Sequence, residues 1–314
     1  MNEFALIEVF FKSIVHTRDD VVLGIGDDAA CLSIPLGKHL LVSSDTLVSG
    51  IHFLADFDAF DIAYKAIMVN ISDIAAMGGE PAWVSLALTL PECNEVWLKR
   101  FSEGLTAALL PYNIALIGGD TTRGPLTITV TIHGLVAAGK AVARSGAKAG
   151  DAIFVSGELG AAALAVDYLS SGHVEDKELL MEKLLHPIPR VDLIPYLQQY
   201  ATAAIDISDG LNADLNHICD ASGVGACLDL EQIPVHPVLK KHRPHKALAM
   251  ALQGGDDYEL CFTIPREHEQ EFKKQLKQHG KRCVKIGMIE EARGLRGRRG
   301  ACIERLPVKG YSHF

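Results

Sequence analysis

Six short stretches set an acidic residue beside glycine or a hydroxyl next to an apolar run. They are Gly24-Ile25-Gly26-Asp27-Asp28, Ser43-Ser44-Asp45-Thr46, Asn70-Ile71-Ser72-Asp73, Gly118-Gly119-Asp120-Thr121, Asp206-Ile207-Ser208-Asp209-Gly210 and Gly254-Gly255-Asp256-Asp257-Tyr258-Glu259. Carboxylates repel one another, so a fold that gathers them either leaves them in water or supplies a cation. Aspartates with serine and threonine hydroxyls and backbone carbonyls offer oxygen ligands only, which suits Mg²⁺ rather than zinc. Mg²⁺ is commonly held by a few carboxylates together with substrate phosphates. In a chain of net charge −9, such a site binds a nucleotide triphosphate only if metals bridge the like charges, so several Mg²⁺ ions are expected rather than one. The glycines beside Asp120 and Asp256 would let backbone N–H groups approach phosphate oxygens.

Other nucleotide motifs do not fit. Gly-Lys pairs at 37–38, 139–140 and 280–281 are never followed by Ser or Thr, which excludes a Walker-type loop. Gly24-Ile25-Gly26-Asp27-Asp28-Ala29 matches a dinucleotide fingerprint in form. It is followed by Ser33-Ile34-Pro35 instead of a helix, and Asp27 and Asp28 would face the pyrophosphate. His236, His242 and His245 lie among lysines, arginine and prolines without ligand spacing and read as solvated loop residues. His52 follows Asp45 by seven residues, where it could donate to a phosphate. The seven cysteines (31, 93, 219, 227, 261, 283, 302) never form a CxxC pair, against both a disulfide framework and a thiolate zinc site. Most read as buried, reduced and structural.

Elements must position these residues. Apolar spacing over 1–16 predicts an amphipathic helix. Val21–Ile25, Cys31–Ile34 and Leu40–Ser44 read as short strands in a small antiparallel arrangement. A helix is expected from Asp58 to Met77, stopped by Gly78-Gly79 and Pro81, with Asn70 and Asp73 on one face. A polar pair on a helix is ordinarily its wet side, but here Val69, Ile71 and Ile74 crowd it. Strand Ala82–Leu90, helix Asn94–Leu110, strand Ile114–Ile117 running into Gly118-Gly119-Asp120, and strand Leu126–Val136 complete an α+β layer with helices on one sheet face. Ala, Gly and Lys/Arg dominate 138–150, which marks a domain boundary with Arg144 in the linker. Beyond it, strands and helices alternate to about Ile289 in a second α/β domain.

The 314 residues, 48% of them hydrophobic, suffice for two cores. No apolar run approaches the roughly 20 residues that span a bilayer, and Glu3, Glu8 and Lys12 make the N-terminal segment unlike a secretory signal, so a cytoplasmic location is expected. The negative charge disfavours nucleic acid and anionic membranes. Eight Lys/Arg against three Glu in 281–305 read as solvated charge on a surface hairpin.

Taken together and in order, GIGDDAA, SSDTLVSGIHF, AYKAIMVNISDIAAMGG, PAWVSLALTLP, IGGDTTRGP, RSGAKAGD, AIDISDGL, GGDDYEL and KGYSHF resemble bacterial thiamine-monophosphate kinase along essentially the whole chain. They resemble it more closely than the cyclo-ligase and selenophosphate synthetase relatives. No cysteine precedes Val21, where the latter carry a reactive one. The resemblance implies a two-domain α/β fold of the aminoimidazole ribonucleotide synthetase type. Residues 1–140 would be an ATP- and Mg²⁺-binding domain whose sheet pairs across a homodimer into a barrel. Residues 141–314 would be an α/β domain closing the active site. It further implies ATP-dependent phosphorylation of thiamine monophosphate to thiamine diphosphate with Mg²⁺. By motif, Asp28, Ser43, Ser44, Asp45, Asp73, Asp120, Asp206 and Asp209 correspond to metal ligands. Gly119, Arg144, Ser208 and Tyr112 correspond to ATP contacts, and His52, Asp256 and Tyr311 to contacts with the thiamine phosphate. Asp45, Asp120, Asp209 and Arg144 are the expected catalytic set. One departure is Asp256, where the family usually has Glu; the charge is kept but the reach is one methylene shorter. Of the carboxylates at 27 and 28, the family motif assigns coordination to Asp28, leaving Asp27 to orient the turn or a coordinated water.

Overall fold

The structure, a computed structural model, describes residues 3–14, 18–171 and 175–311. Its contacts divide the chain into one unit of Met1–Ala75 with Gly79–Lys140 and a second of Ala76–Gly78 with Ala141–Phe314.

In the first unit, α1 (Glu3–Leu6) continues through a π turn (Ile7–Phe11) and a 3₁₀ turn (Lys12–Ile14), and this segment buries Leu6, Phe10 and Phe11. The short strands β1 (Val21–Leu23) and β2 (Cys31–Leu32) pair antiparallel. The next strand, β3 (Lys38–Val48), does not join them as the sequence suggests. It pairs antiparallel over its whole length, from Lys38 opposite Ala137 to Val48 opposite Thr127, a ladder that a two-residue ribbon cannot offer. With β4 (Glu80–Leu90), β5 (Ala115–Arg123) and β6 (Thr127–Ala137) it forms a sheet of order β3-β6-β4-β5.

The period of two decides the faces of this sheet. Ile128, Val130 and Ile132 are fully buried, while Thr127, Thr129, Thr131 and His133 between them are half-buried on the other side. On that second face hydroxyls pair across strands, Ser44 with Thr131 at 2.9 Å and Thr46 with Thr129 at 2.8 Å. Helices α2 (Ala59–Ala76) and α3 (Glu95–Leu109) serve the apolar face. Ile62, Ala66, Ile67, Ile71 and Ile74 of α2 are at most 1% exposed. Each large aliphatic buried this way contributes about 1.5–3 kcal/mol. Asn94 starts α3 by accepting from the N–H groups of Val96 and Trp97, both at 3.1 Å.

In the second unit the strands are β7 (Ala152–Val155), β8 (Ala203–Asp206), β9 (Gly225–Asp229), β10 (Leu260–Ile264), β11 (Val284–Glu290), β12 (Gly294–Arg299) and β13 (Cys302–Arg305). They form one sheet of order β13-β12-β9-β11-β7-β10-β8, in which only β12 and β9 run parallel. The helices are α4 (Ala161–Ser171), α5 (Lys177–Leu185), α6 (Ile194–Tyr200), α7 (Leu211–Ser222), α8 (Pro237–His242), α9 (Ala247–Gln253) and α10 (Glu269–Gln278). Every residue of β7, β8 and β10 is buried because the sheet has a core on each face. One core gathers Val155, Ile205, Leu215, Ile218 and Ile286. The other stacks Phe154 on Phe262 and sets the ring of Phe272 edge-on to Phe154 at 5.1 Å.

Some expectations change here. His236 is not a solvated loop residue: it is 9% exposed and caps α8, its Nδ1 accepting from the Val238 N–H at 3.2 Å. His242 Nε2 bonds Asp176 at 2.7 Å, so both histidines serve local packing. Three cysteines (31, 93, 302) are exposed, and the buried Cys219 thiol is pushed up to about 12 by burial, which makes it inert. The basic segment does form a hairpin, β12 with β13, with Arg296 on Glu290 at 2.6 Å and Arg298 on Asp229 at 3.4 Å.

Candidate active site

Strand β3 and helix α2 build the first part of the site. Ser43 and Asp45 are two apart, so both side chains leave the face turned toward α2. Ser43 Oγ donates to Asp73 Oδ2 at 2.6 Å, and the carboxyl groups of Asp45 and Asp73 are in hydrogen-bonding contact. Burial, and then the negative charge of Asp73, pushes Asp45 up to about 6. Asn70, one turn before Asp73, is fully buried rather than on a wet face; its Nδ2 donates to the Ala66 carbonyl at 2.9 Å, and its Oδ1 has no partner. This half-buried, oxygen-rich carboxylate pair is the donor set a hard divalent cation takes. Among the described residues no three His, Cys, Asp or Glu side chains converge into a preformed cluster. The pair therefore suits an ion that completes its shell with water and phosphate oxygens.

Ser44 and Asp120 lie apart from that pair. Ser44 is on the hydroxyl face with Thr131, and it also donates to the Val130 carbonyl at 3.3 Å. Asp120 is exposed and sits within β5, not beyond its end, because the strand runs to Arg123 through Gly118-Gly119. Gly119 permits this: a Cβ there would overlap the Leu86 carbonyl oxygen. Register sets Thr46, Thr129, Ala87 and Asp120 in one row across the sheet, so Asp120 is three strand spacings, about 14 Å, from the Asp45 edge. Asp28 is exposed on its turn, and its N–H donates to Asp27 Oδ1 at 3.1 Å, which has Asp27 shaping the turn. His52 Nδ1 accepts from the Val48 N–H at 2.9 Å, so the proton of the neutral ring is on Nε2. Tyr112 is half-buried in the 3₁₀ turn Leu110–Tyr112 that precedes β5.

In the second unit Asp206 ends β8 and is 4% exposed, while Ser208 and Asp209 occupy the turn into α7 and are half-buried. Three backbone bonds gather other motifs around that turn. The Asp256 N–H donates to the Ser208 carbonyl at 2.8 Å, the Tyr258 N–H to Ile207 at 2.9 Å, and the Tyr311 N–H to Asp209 at 3.0 Å. The C-terminal stretch is thus docked through its backbone, while Tyr311 is 50% exposed; Ser312, His313 and Phe314 lie outside the described residues. Arg144 is exposed, and its charge acts on Asp214.

Asp214 braces this turn, although no motif marks it. Its Oδ2 accepts from the N–H groups of Asp209 at 3.1 Å and Gly210 at 3.0 Å, and burial, then Asp209, pushes it up to about 7. The signal was present as an acid four residues after the glycine that opens a helix, the reach-back geometry of a helix cap.

The model of the family described as AIR synthase related protein, N-terminal domain, matches residues 26–136, and that of its C-terminal domain matches 148–299. A thiamine-monophosphate kinase of Escherichia coli K12 is 48% identical over all of this chain and 98% of its own length. The chain belongs to the thiamine-monophosphate kinase family. Within it, the Aquifex aeolicus protein of that name is 35% identical over all of this chain and 98% of its own length. The crystal structure of the thiamine-monophosphate kinase from Stenotrophomonas maltophilia superposes with a TM-score of 0.87 at 43% identity, covering 95% of this chain and 96% of that one. A structure described as AaThiL complexed with AMPPCP and TMP superposes with a TM-score of 0.80 at 33% identity, covering 99% and 97%. The two-domain fold expected from the thiamine-monophosphate kinase resemblance is therefore the fold of this chain.

Proposed function

We propose that this chain transfers the γ-phosphoryl group of ATP to the phosphate of thiamine monophosphate, giving thiamine diphosphate and ADP. The observation that carries this is full-length similarity to thiamine-monophosphate kinases, together with a structural relative described with AMPPCP and TMP. In the transfer, the bond from γ-phosphorus to its bridging oxygen breaks, and one forms to an oxygen of the acceptor phosphate, in line and without a phosphoenzyme. The acceptor is already ionised near neutral pH and needs no strong base, so the work is positioning and charge neutralisation.

Roles follow unit by unit. Asp28, Ser43, Ser44, Asp45, Asp73 and Asp120 of the first unit would hold Mg²⁺, and so would Asp206 and Asp209 of the second. When bound, Mg²⁺ would supply positive charge that offsets the repulsion between acceptor and donor phosphates. Gly119 and Tyr112, with Ser208 and the Arg144 guanidinium, contact ATP. His52, donating from Nε2, binds the acceptor phosphate, and Asp256 and Tyr311 hold the thiamine moiety, the carboxylate facing its cationic ring. The enzyme works as a cytoplasmic homodimer joined through the first unit. Its exposed edge strand β3 supports this, with Val42 58% and Leu40 39% exposed.

The test is direct. Protein incubated with ATP, MgCl₂ and thiamine monophosphate should form thiamine diphosphate and ADP in equal amounts, read by chromatography. No thiamine diphosphate would sink the reading, and a labelled covalent phosphoprotein on the pathway would sink direct transfer.

A further inference from the structure

The loop between α9 and β10 carries two residues other than glycine at left-handed φ, Asp256 at +67° and Tyr258 at +50°. Aspartate visits that region with some ease, but a bulky tyrosine does not, so neighbouring structure must hold the loop in this shape. One side of the loop runs along Ile207-Ser208 through the Asp256 and Tyr258 N–H bonds, and the Ile207 N–H answers with a bond to the Glu259 carbonyl at 2.8 Å.

The alternate residues anchor the opposite side. Both carboxylate oxygens of Asp257 lie 2.9 Å from the Gly160 N–H. Glu259 accepts from Ser156 Oγ and, at 2.8 Å, from Arg190 Nη1. Its carboxylate occupies the space that a Cβ on Gly157 would take. Arg190 Nη1 also donates to the Ser156 carbonyl at 2.9 Å, and Ser156 Oγ accepts from the Leu260 N–H at 2.7 Å. These bonds close a ring around the loop's exit into β10.

We infer that Asp257, Glu259 and Arg190 are positioning residues that clamp this loop so that Asp256 is presented beside Ser208 and Asp209. The inference rests on the proposed role of Asp256 toward thiamine monophosphate and deepens it. A carboxylate one methylene shorter than glutamate has less freedom to adjust, so its placement depends more on where the backbone sets it.

Steady-state kinetics of Asp257→Asn, Glu259→Gln and Arg190→Lys, with Asp256→Ala alone and combined with Asp257→Asn, test it. Amide hydrogen exchange is followed in parallel. The expected result is a KM for thiamine monophosphate raised about tenfold or more, with KM for ATP nearly unchanged. The double variant should be no worse than Asp256→Ala, since the clamp acts through that residue. Exchange at the Asp256 and Tyr258 amides should quicken while β7 stays protected. An unchanged KM for thiamine monophosphate, or additive losses in the double variant, overturns the inference. If the wild-type protein forms no thiamine diphosphate, the functional reading fails by itself. Exchange then decides the clamp, and unaltered protection at Asp256 and Tyr258 overturns it.

Discussion

Asp45 concentrates the electrostatics of the site in one residue. A carboxyl whose folded pKa is raised holds its proton more tightly when folded, so it favours the fold below its unfolded pKa and loses that contribution as pH rises through about 6. Without divalent ions, stability should therefore decline between about pH 4 and pH 7 from this source. A cation replaces the proton only once it has left, so added Mg²⁺ should raise the melting temperature more at pH 7.5 than at pH 5. Equal increments would argue against a metal at this pair. Asp45→Asn should lower kcat by about 10² or more. The same variant should melt no lower than wild type in EDTA at pH 7.5, because it removes the repulsion between two half-buried carboxylates. Such pairing was half legible in the sequence. Ser43, Asp45 and Asp73 were each recognisable, but the 2.6 Å bond joining Ser43 to Asp73 depends on which strand face meets which helix face.

Elements decide which of these residues can act. Gly119 keeps β5 paired past the point where glycines ordinarily end a strand, and so places Asp120 on the sheet. Gly119→Ala should cost about 1–3 kcal/mol in urea unfolding, by overpacking against the Leu86 carbonyl, and should lower activity with it. By contrast Asn94→Ala should cost about 1 kcal/mol through lost capping of α3 while leaving turnover unchanged. Long periodic elements were legible. Helix α2 was expected at Asp58–Met77 and spans Ala59–Ala76, because its apolar spacing and the following glycines and proline agree. The placement of β3 was not, since its partner β6 lies far along the chain and no local pattern names it. Helix α8 was hidden by its prolines and charges, although Pro237 suits a first helical turn.

At the scale of the molecule, two compact units and a motif series running from Gly24 to Tyr311 made the family legible, since no single motif carries it. The proposed homodimer is supported by the exposed β3 edge. The protein should elute at twice its chain mass in light-scattering chromatography, and Val42→Lys should shift it toward the monomer; a monomeric wild type would refute the dimer. Among the described residues no helix is long and apolar enough to cross a membrane. The seven-stranded sheet carries a further consequence, for synthesis. Strand β7 is buried at all four positions, yet Val155 finds its two neighbours only at Cys261 and Val284. On the ribosome, these apolar residues must wait for most of the second unit to emerge, whereas the first unit's sheet is complete once residue 137 has appeared. The first unit can therefore fold during translation, and the second is the one whose unpaired strand invites chaperone binding or aggregation when synthesis stalls.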